Sequence, residues 1–104
     1  MTKPAPLVTE STMQVTLQDG SKYTGEWSGN QRHGKGTIIY PDGSTYTGGW
    51  ENDQLHGYGI RDNHGTIYKG FFSNGLANGK GVLRHREGGY FKGEWKDEKK
   101  HGKN

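Results

Sequence analysis

The chain of 104 residues has no cysteine and few of the aliphatic side chains that fill a conventional core. Without cysteine, disulfide bonds and thiolate metal sites are excluded, which is typical of a protein from a reducing compartment. Only 27% of the residues are hydrophobic, and leucine, isoleucine, valine and phenylalanine together number 15. A chain of this length forms one domain at most, and these counts leave little material for an aliphatic core.

Long apolar runs are also missing. No segment has the length or hydrophobicity of a transmembrane helix or of a secretory signal peptide. A low hydrophobic content often indicates disorder, but disordered chains usually also have a high net charge and few aromatic residues. This chain has a formal net charge of only +3, and 12% of its residues are aromatic. The composition therefore predicts a folded, soluble, cytoplasmic protein in which aromatic rings replace much of the aliphatic core.

What the chain has in abundance is glycine, with 19 residues, and the glycines follow a repeat. A motif of the form Tyr-x-Gly-x-Trp recurs in steps of 23, 22 and 23 residues, beginning at Tyr23, Tyr46, Tyr68 and Phe91. A second motif, His-Gly-x-Gly, recurs with the same steps, beginning at His33, His56, Asn78 and His101. Two motifs that keep one period through four units indicate a repeat architecture.

Each unit has the pattern of a β-hairpin. Alternation in the segment Tyr23–Trp27 predicts a strand with the two rings and Gly25 on one face. We expect His33–Gly36 to form a connecting loop, because two of its four residues are glycine. The β-branched run that follows favours a second strand, and Pro41–Gly43 predicts a type I turn with a bulge.

The whole chain is therefore predicted to be an all-β protein: an elongated, twisted, single-layer antiparallel β-meander of about eight strands. Residues 1–12 are predicted to be a flexible N-terminal arm and residues 13–104 the repeat domain. That domain divides into a half-repeat, three full repeats and a truncated repeat, which are residues 13–22, 23–45, 46–67, 68–90 and 91–104. Ten glycines are assigned structural roles beside the aromatic row: Gly25, Gly34, Gly36, Gly48, Gly57, Gly59, Gly70, Gly79, Gly81 and Gly93.

These motifs resemble the MORN repeat (membrane occupation and recognition nexus) over nearly nine-tenths of the chain. The departures are Phe91 in place of the fourth tyrosine, Asn78 in place of the third histidine and Phe72 in place of tryptophan. The resemblance implies a twisted antiparallel sheet without catalytic activity, since enzymes of this family carry catalysis in an additional domain. Small proteins made almost only of MORN repeats are frequent in cilia and flagella, and spoke-head components of the axoneme have repeats similar to residues 33–50. We therefore expect a scaffold protein of a cilium, a flagellum or another cytoskeletal assembly.

Three kinds of site are not supported by the sequence. The stretch beginning at Gly29 has P-loop spacing through Lys35, but Gly36 stands where the magnesium-binding hydroxyl belongs, and a strand pattern follows instead of a helix. The repeated histidines are predicted to lie two strands, or about 9–10 Å, apart, which is too far for one zinc ion. No recognition helix or dense basic cluster indicates nucleic-acid binding. We expect no cofactor, metal or catalytic residue.

Two docking surfaces for a protein partner are predicted. A single-layer sheet is not expected to cover its aromatic face fully, so the aromatic row has two open interpretations, a substitute core and an exposed docking surface. The partner-binding candidates are Tyr23, Trp27, Tyr46, Trp50, Tyr68, Phe72, Phe91 and Trp95. The strand Phe91–Trp95 is predicted to lie at an edge without a pairing strand, where a strand of another protein could add.

The alternative function is a peripheral membrane module that binds anionic phospholipids. It is suggested by the lysine-rich end of the chain, and its candidate residues are Lys96, Lys99 and Lys100. The simpler interpretation of the same lysines is a solvated edge that discourages aggregation. The sequence leaves both open.

Overall fold

The computed structural model describes residues 13–101, with side chains described as far as residue 98. Within this range nine antiparallel strands form one open sheet in chain order, and no helix is present. The strands are β1 (Val15–Thr16), β2 (Lys22–Ser28), β3 (Gln31–Ile39), β4 (Thr45–Glu51), β5 (Gln54–Asn63), β6 (Thr66–Ser73), β7 (Leu76–Arg84), β8 (Tyr90–Lys96) and β9 (Lys99–His101). The predicted single-layer meander is confirmed, with extents of 56 × 25 × 18 Å.

The two ends of the sheet are short strands. β1 has two residues and pairs with Lys22 and Tyr23 of β2. Its Val15 side chain is exposed, because no further described strand packs beside it. The predicted flexible arm, residues 1–12, lies outside the described residues.

At one end of the hairpins, the tight turns are formed by other residues than those predicted. The segment His33–Gly36 is not a loop, because β3 already begins at Gln31 and runs through it. The chain instead reverses in two-residue turns, which are residues 29–30, 52–53, 74–75 and 97–98. Asn52 and Asp53 have φ values of 52° and 71°, and this left-handed pair gives a hairpin turn whose twist matches that of the strands. Asparagine and aspartate tolerate this conformation better than most residues do.

The turns at the other end follow the prediction more closely. The Gly43 N–H donates to the Tyr40 carbonyl at 2.9 Å, and the Tyr40 N–H donates to the Ser44 carbonyl at 2.8 Å. The carboxylate of Asp42 also accepts the Ser44 N–H at 2.9 Å. The same backbone bonds recur at Leu17–Ser21 and His85–Gly89, so three of these turns are built alike.

A row of glycines crosses the sheet from β2 to β8. Its seven members pair side by side in neighbouring strands: Gly25, Gly36, Gly48, Gly59, Gly70, Gly81 and Gly93. Tyrosine rings lie flat across this row, and a Cβ added at Gly36 or Gly59 would collide with the ring of Tyr23 or Tyr46. Glycine is therefore required here for close approach of a ring to the backbone. Gly34, Gly57 and Gly79 lie outside the row, with left-handed φ values of 82°, 77° and 107°.

A β-bulge follows the glycine in each of β2, β4 and β6. Between the pairs Gly48–Gly59 and Trp50–Leu55, β4 advances by two residues and β5 by four. The ring after the bulge lies on the same face as the tyrosine of its own strand, as the alternation predicts, and contacts that tyrosine. The tyrosine hydroxyl then donates to a carbonyl within the bulge, in the pairs Tyr23–Glu26 (2.7 Å), Tyr46–Gly49 (2.8 Å) and Tyr68–Phe71 (3.1 Å).

Eight rings form the core of the sheet, and we refer to them as the aromatic ladder. Each ring contacts the next edge to face, in the order Trp27, Tyr23, Trp50, Tyr46, Phe72, Tyr68, Trp95 and Phe91. Ring centroids are 5.0 to 5.5 Å apart and the planes meet at 80° to 88°, which is a favourable geometry for aromatic pairs. Ile38 and Leu55 are buried with them.

Candidate functional site

The aromatic ladder is closed rather than exposed. Six of its rings are 0% to 8% exposed, and only the end members, Trp27 and Phe91, are half-buried. Six rings therefore form the substitute core that was one of the two interpretations, and ring surface is left partly uncovered at the two ends. The rings are covered from below by the glycine row and laterally by one another. Partner binding by ladder residues stays a prediction, and the exposed ring surface available for it lies at the two ends.

Two arginines complete the cover over the ladder. The guanidinium of Arg32 lies 4.7 Å from the centre of the Trp50 ring, and that of Arg61 lies 5.2 Å from the centre of Phe72. Both are cation–π contacts, and both present charge rather than ring surface to the solvent. The ladder side of the sheet is therefore largely polar at its surface.

Each arginine is held by an acid from a turn. The Nε of Arg32 donates to Asp53 at 2.6 Å, and Arg61 donates to Glu98 at 2.6 Å. The hydrogen bond from the Arg32 side chain keeps the pKa of Asp53 below its ordinary value of 3.8. Asp53 also accepts the backbone N–H of Arg32 at 2.9 Å, so the pair joins one repeat to the turn of the next.

The opposite side of the sheet, which we call the open face, exposes apolar side chains. Tyr58 is 53% exposed, Phe71 is 47% exposed and Ile60 is 38% exposed. The rings of Tyr58 and Phe71 lie in neighbouring strands, with centroids 5.5 Å apart and an angle of 74°. Together with the half-buried Val82, these residues form what we call the apolar patch.

Lysines border the apolar patch. Lys69 of β6 pairs with Ile60 of β5 on one side and with Val82 of β7 on the other. Val82 in turn pairs with Lys92 of β8. Lys80 pairs with Glu94 in the next row of the same face. All three lysines are exposed. Glu94 is the one acidic residue that lines this part of the open face.

Two shallow depressions lie on the open face. A depression of about 630 Å³ lies over β5 to β8 and includes Tyr58, Phe71 and the three lysines. A second depression of about 330 Å³ lies over β3 to β5, where Lys35 and Thr47 line it. Tyr58 lines both depressions, and we refer to the two together, from β3 to β8, as the trough. At about 4.8 Å per strand, the trough is roughly 24 Å long.

The apolar patch was not predicted from the sequence, because its residues depart from the repeat instead of following it. Tyr58 occupies a position that is lysine in the first and third units, and Phe71 occupies one that is otherwise glutamate or glycine. A search for large side chains at variable strand positions would have found both.

The predicted unpaired edge at Phe91–Trp95 needs correction. β9 pairs with residues 94–96 of β8, because the turn at residues 97–98 takes the same left-handed form as the turns at residues 52–53 and 74–75. Residues 90–93 of β8 lack a strand on that side within the described range. Of the lysines proposed for lipid binding, Lys96 is exposed at the end of β8. Lys99 and Lys100 belong to β9, where side chains are not described.

Two histidines take part in separate contacts with acidic residues. His56 pairs with Glu51 at 3.0 Å, and His64 approaches Asp42 at 3.7 Å. Within residues 13–101, histidine, aspartate and glutamate form no group of three with the geometry of a metal site. The same part of the chain also contains no helix of the length and hydrophobicity needed to cross a membrane.

The repeats match a known family. The sequence model of the MORN repeat matches residues 23–45, 46–63, 68–90 and 91–103, which is well over half of the chain. This chain belongs to the MORN repeat family. A comparison with curated proteins gave no match. MORN repeats are associated with binding to proteins or membranes, so the family assignment supports an interaction role without identifying a partner.

Proposed function

We propose that this MORN protein is a non-catalytic scaffold that docks a protein partner on its open face within a larger assembly. The observation that supports this is the contrast between the two faces, since the ladder rings are buried and the rings of Tyr58 and Phe71 are half exposed. An exposed apolar patch with a polar border is typical of an interaction site. Tyrosine is also among the residues that contribute most to protein interfaces.

The proposal assigns no reaction to the chain. The larger depression is lined by apolar groups, lysines and one glutamate, and none of these forms a nucleophile–base pair there. The absence of enzymatic activity is supported by the family and stays a prediction.

The experiment compares the full chain with a double variant, Tyr58→Ala with Phe71→Ala. Both chains carry an affinity tag, and partners are fixed in cells by cross-linking before purification. We expect the partners bound by the wild type to be lost from the double variant and retained by the control, Tyr90→Ala. Tyr90 is 71% exposed but lies outside the trough, so it controls for the loss of an exposed ring. Recovery of the same partners by the double variant would refute docking on this face.

We extend the proposal to a cytoplasmic setting in a ciliary or flagellar axoneme, in a radial-spoke-like position, or in another cytoskeletal assembly. The basis is the resemblance drawn from the repeat motifs of the sequence alone. Detergent extraction of ciliated cells that express the tagged chain tests it. Retention with the axoneme is expected, and complete release with the soluble fraction would contradict it.

A second candidate function is binding to anionic phospholipids as a peripheral membrane module. It is favoured by the exposed lysines of the open face, together with Lys96 at the end of β8. Sedimentation with phosphatidylserine vesicles, with phosphatidylcholine vesicles as control, tests this candidate. Salt-sensitive binding that is lost in a Lys96→Gln, Lys99→Gln, Lys100→Gln variant would support it, and equal sedimentation with both vesicle types would refute it.

A further inference from the structure

We infer that the occupant of the open face is an acidic amphipathic helix of a partner protein. This inference rests on the proposed function and adds the chemistry of the partner. Shape is the first argument, because the trough from β3 to β8 is roughly 24 Å long, which is the length of a helix of about 16 residues. A rod-shaped helix can lie along the whole length of the trough.

The second argument is the position of the apolar groups. Tyr58 and Phe71 stand side by side near the middle of the trough, and in the next row Ile60 of β5 and Val82 of β7 lie on either side of Lys69. This arrangement is a compact stripe rather than a continuous apolar surface. A helix with apolar residues at positions i, i+3, i+4 and i+7 presents a complementary stripe.

The third argument is charge. Lys69 and Lys92 lie on either side of Val82, two strands or about 10 Å apart, and Lys80 lies in the neighbouring row. With Lys35 at the far end, four lysines face the trough and Glu94 is the acid that lines it. Carboxylates on a bound helix would relieve the repulsion among these lysines. A second copy of this chain would instead bring lysines against lysines.

The test uses a displayed library of 18-residue peptides with leucine at helical i, i+3, i+4 and i+7 spacing. Each remaining position is glutamate, glutamine or lysine. The library is selected on the intact chain, and the best peptide is labelled for fluorescence anisotropy. We expect enrichment of glutamate, and binding at least tenfold weaker with the Tyr58→Ala, Phe71→Ala variant. We also expect binding to weaken as salt is raised.

Charge reversal provides the sharper comparison. A Lys69→Glu, Lys80→Glu, Lys92→Glu variant is expected to reject the glutamate-rich peptide and to select lysine-rich peptides instead. The matched control is Lys22→Glu, which reverses an exposed lysine of β2 outside the trough and should leave binding unchanged. Circular dichroism of each variant verifies that the sheet is intact.

The outcomes separate the inference from the proposed function. Selection of uncharged or lysine-rich peptides by the wild type, or no selection at all, would overturn the acidic helix. Binding to phosphatidylserine vesicles in place of peptides, lost in the open-face variants, would also overturn it while keeping the open face as the binding surface. Peptide binding that the Tyr58→Ala, Phe71→Ala variant does not weaken would count against the proposed site itself.

Discussion

Replacing Tyr46 with phenylalanine removes a single oxygen atom from a fully buried ring of the aromatic ladder. That hydroxyl donates to the carbonyl of Gly49 at 2.8 Å, inside the bulge of β4. Burial raises the pKa of Tyr46, so the hydroxyl remains a donor throughout the neutral range. The substitution leaves the ring in place over Gly59 and deprives the Gly49 carbonyl of this donor.

The expected loss of stability follows from the cost of an unsatisfied buried acceptor, about 1–3 kcal/mol. We take about 1.5 kcal/mol, because the backbone of a bulge can relax in part. For a domain of this size each 1 kcal/mol lowers Tm by about 4–8 °C, so the expected fall is about 6–12 °C. Thermal unfolding followed by circular dichroism measures it.

The chain itself supplies the reciprocal experiment. Phe91 occupies the tyrosine position of the last repeat, and its ring lies over Gly93 as the tyrosines lie over their glycines. Phe91→Tyr introduces a hydroxyl whose acceptor would be the carbonyl of Glu94, the residue equivalent to Gly49 in the last repeat. We expect a gain of about 0.5–1 kcal/mol. The account of the bulge would be refuted if Tyr46→Phe left Tm unchanged while Phe91→Tyr lowered it.

Three further predictions concern the glycine row, the turn acid and the buried tyrosines. Gly59→Ala is expected to cost about 2–3 kcal/mol in urea denaturation, because the new Cβ collides with the Tyr46 ring; an unchanged midpoint would contradict the close approach. Asp53→Ala is expected to cost about 1 kcal/mol at neutral pH. Because the folded pKa of Asp53 is lowered, its stabilisation is present above its ordinary pKa of 3.8 and is lost as the pH falls through the folded pKa, so the two stabilities should converge in acid. Persistence of the difference there would refute this assignment. Burial raises the pKa of Tyr23 to about 12 and also raises the pKa values of Tyr46 and Tyr68. Their stabilisation is therefore complete below pH 10 and is lost as the pH rises from 10 towards 12. An ultraviolet titration should show them ionising together with unfolding, and their ionisation near pH 10 in an intact sheet would contradict the ladder.

Much of the fold could be predicted from the repeat period. The alternation in Tyr23–Trp27 and the bulged turn at Pro41–Gly43 are local patterns, and both elements form as the sequence indicates. Because every unit repeats the same signals, the antiparallel order of the long strands follows without further information. The pairing of equivalent glycines in one row is a consequence of that period.

The function of individual glycines was harder to predict. Gly34 and Gly36 lie two residues apart in one motif. Gly34 has a left-handed backbone, whereas Gly36 lies under the ring of Tyr23. Sequence cannot distinguish these requirements, and a loop was therefore expected in place of the first half of β3. The actual turn signal, Asn52–Asp53 in the second unit, has no glycine and varies among the units.

The distribution of exposed and buried rings could not be predicted, because it depends on contacts across strands. The ladder closes because each tyrosine lies between a ring of its own strand and a ring two strands away, as Tyr46 lies between Trp50 of β4 and Phe72 of β6. The open face depends on Tyr58 and Phe71, which carry no repeat signal and come together only through the register of β5 and β6. Sequence periodicity identified the residues that hold the sheet together and missed those available to a partner.

The central claim is that one face of the sheet is closed and the other is available for binding. Nitration of the intact chain with tetranitromethane, read by peptide mass spectrometry, tests it most directly. We predict fast modification of Tyr58 and Tyr90 and protection of Tyr23, Tyr46 and Tyr68, since the first two are 53% and 71% exposed and the others at most 2%. The selected acidic peptide should then protect Tyr58 and leave Tyr90 reactive. Modification of the three ladder tyrosines at the rate of Tyr58 in the folded chain would contradict the account.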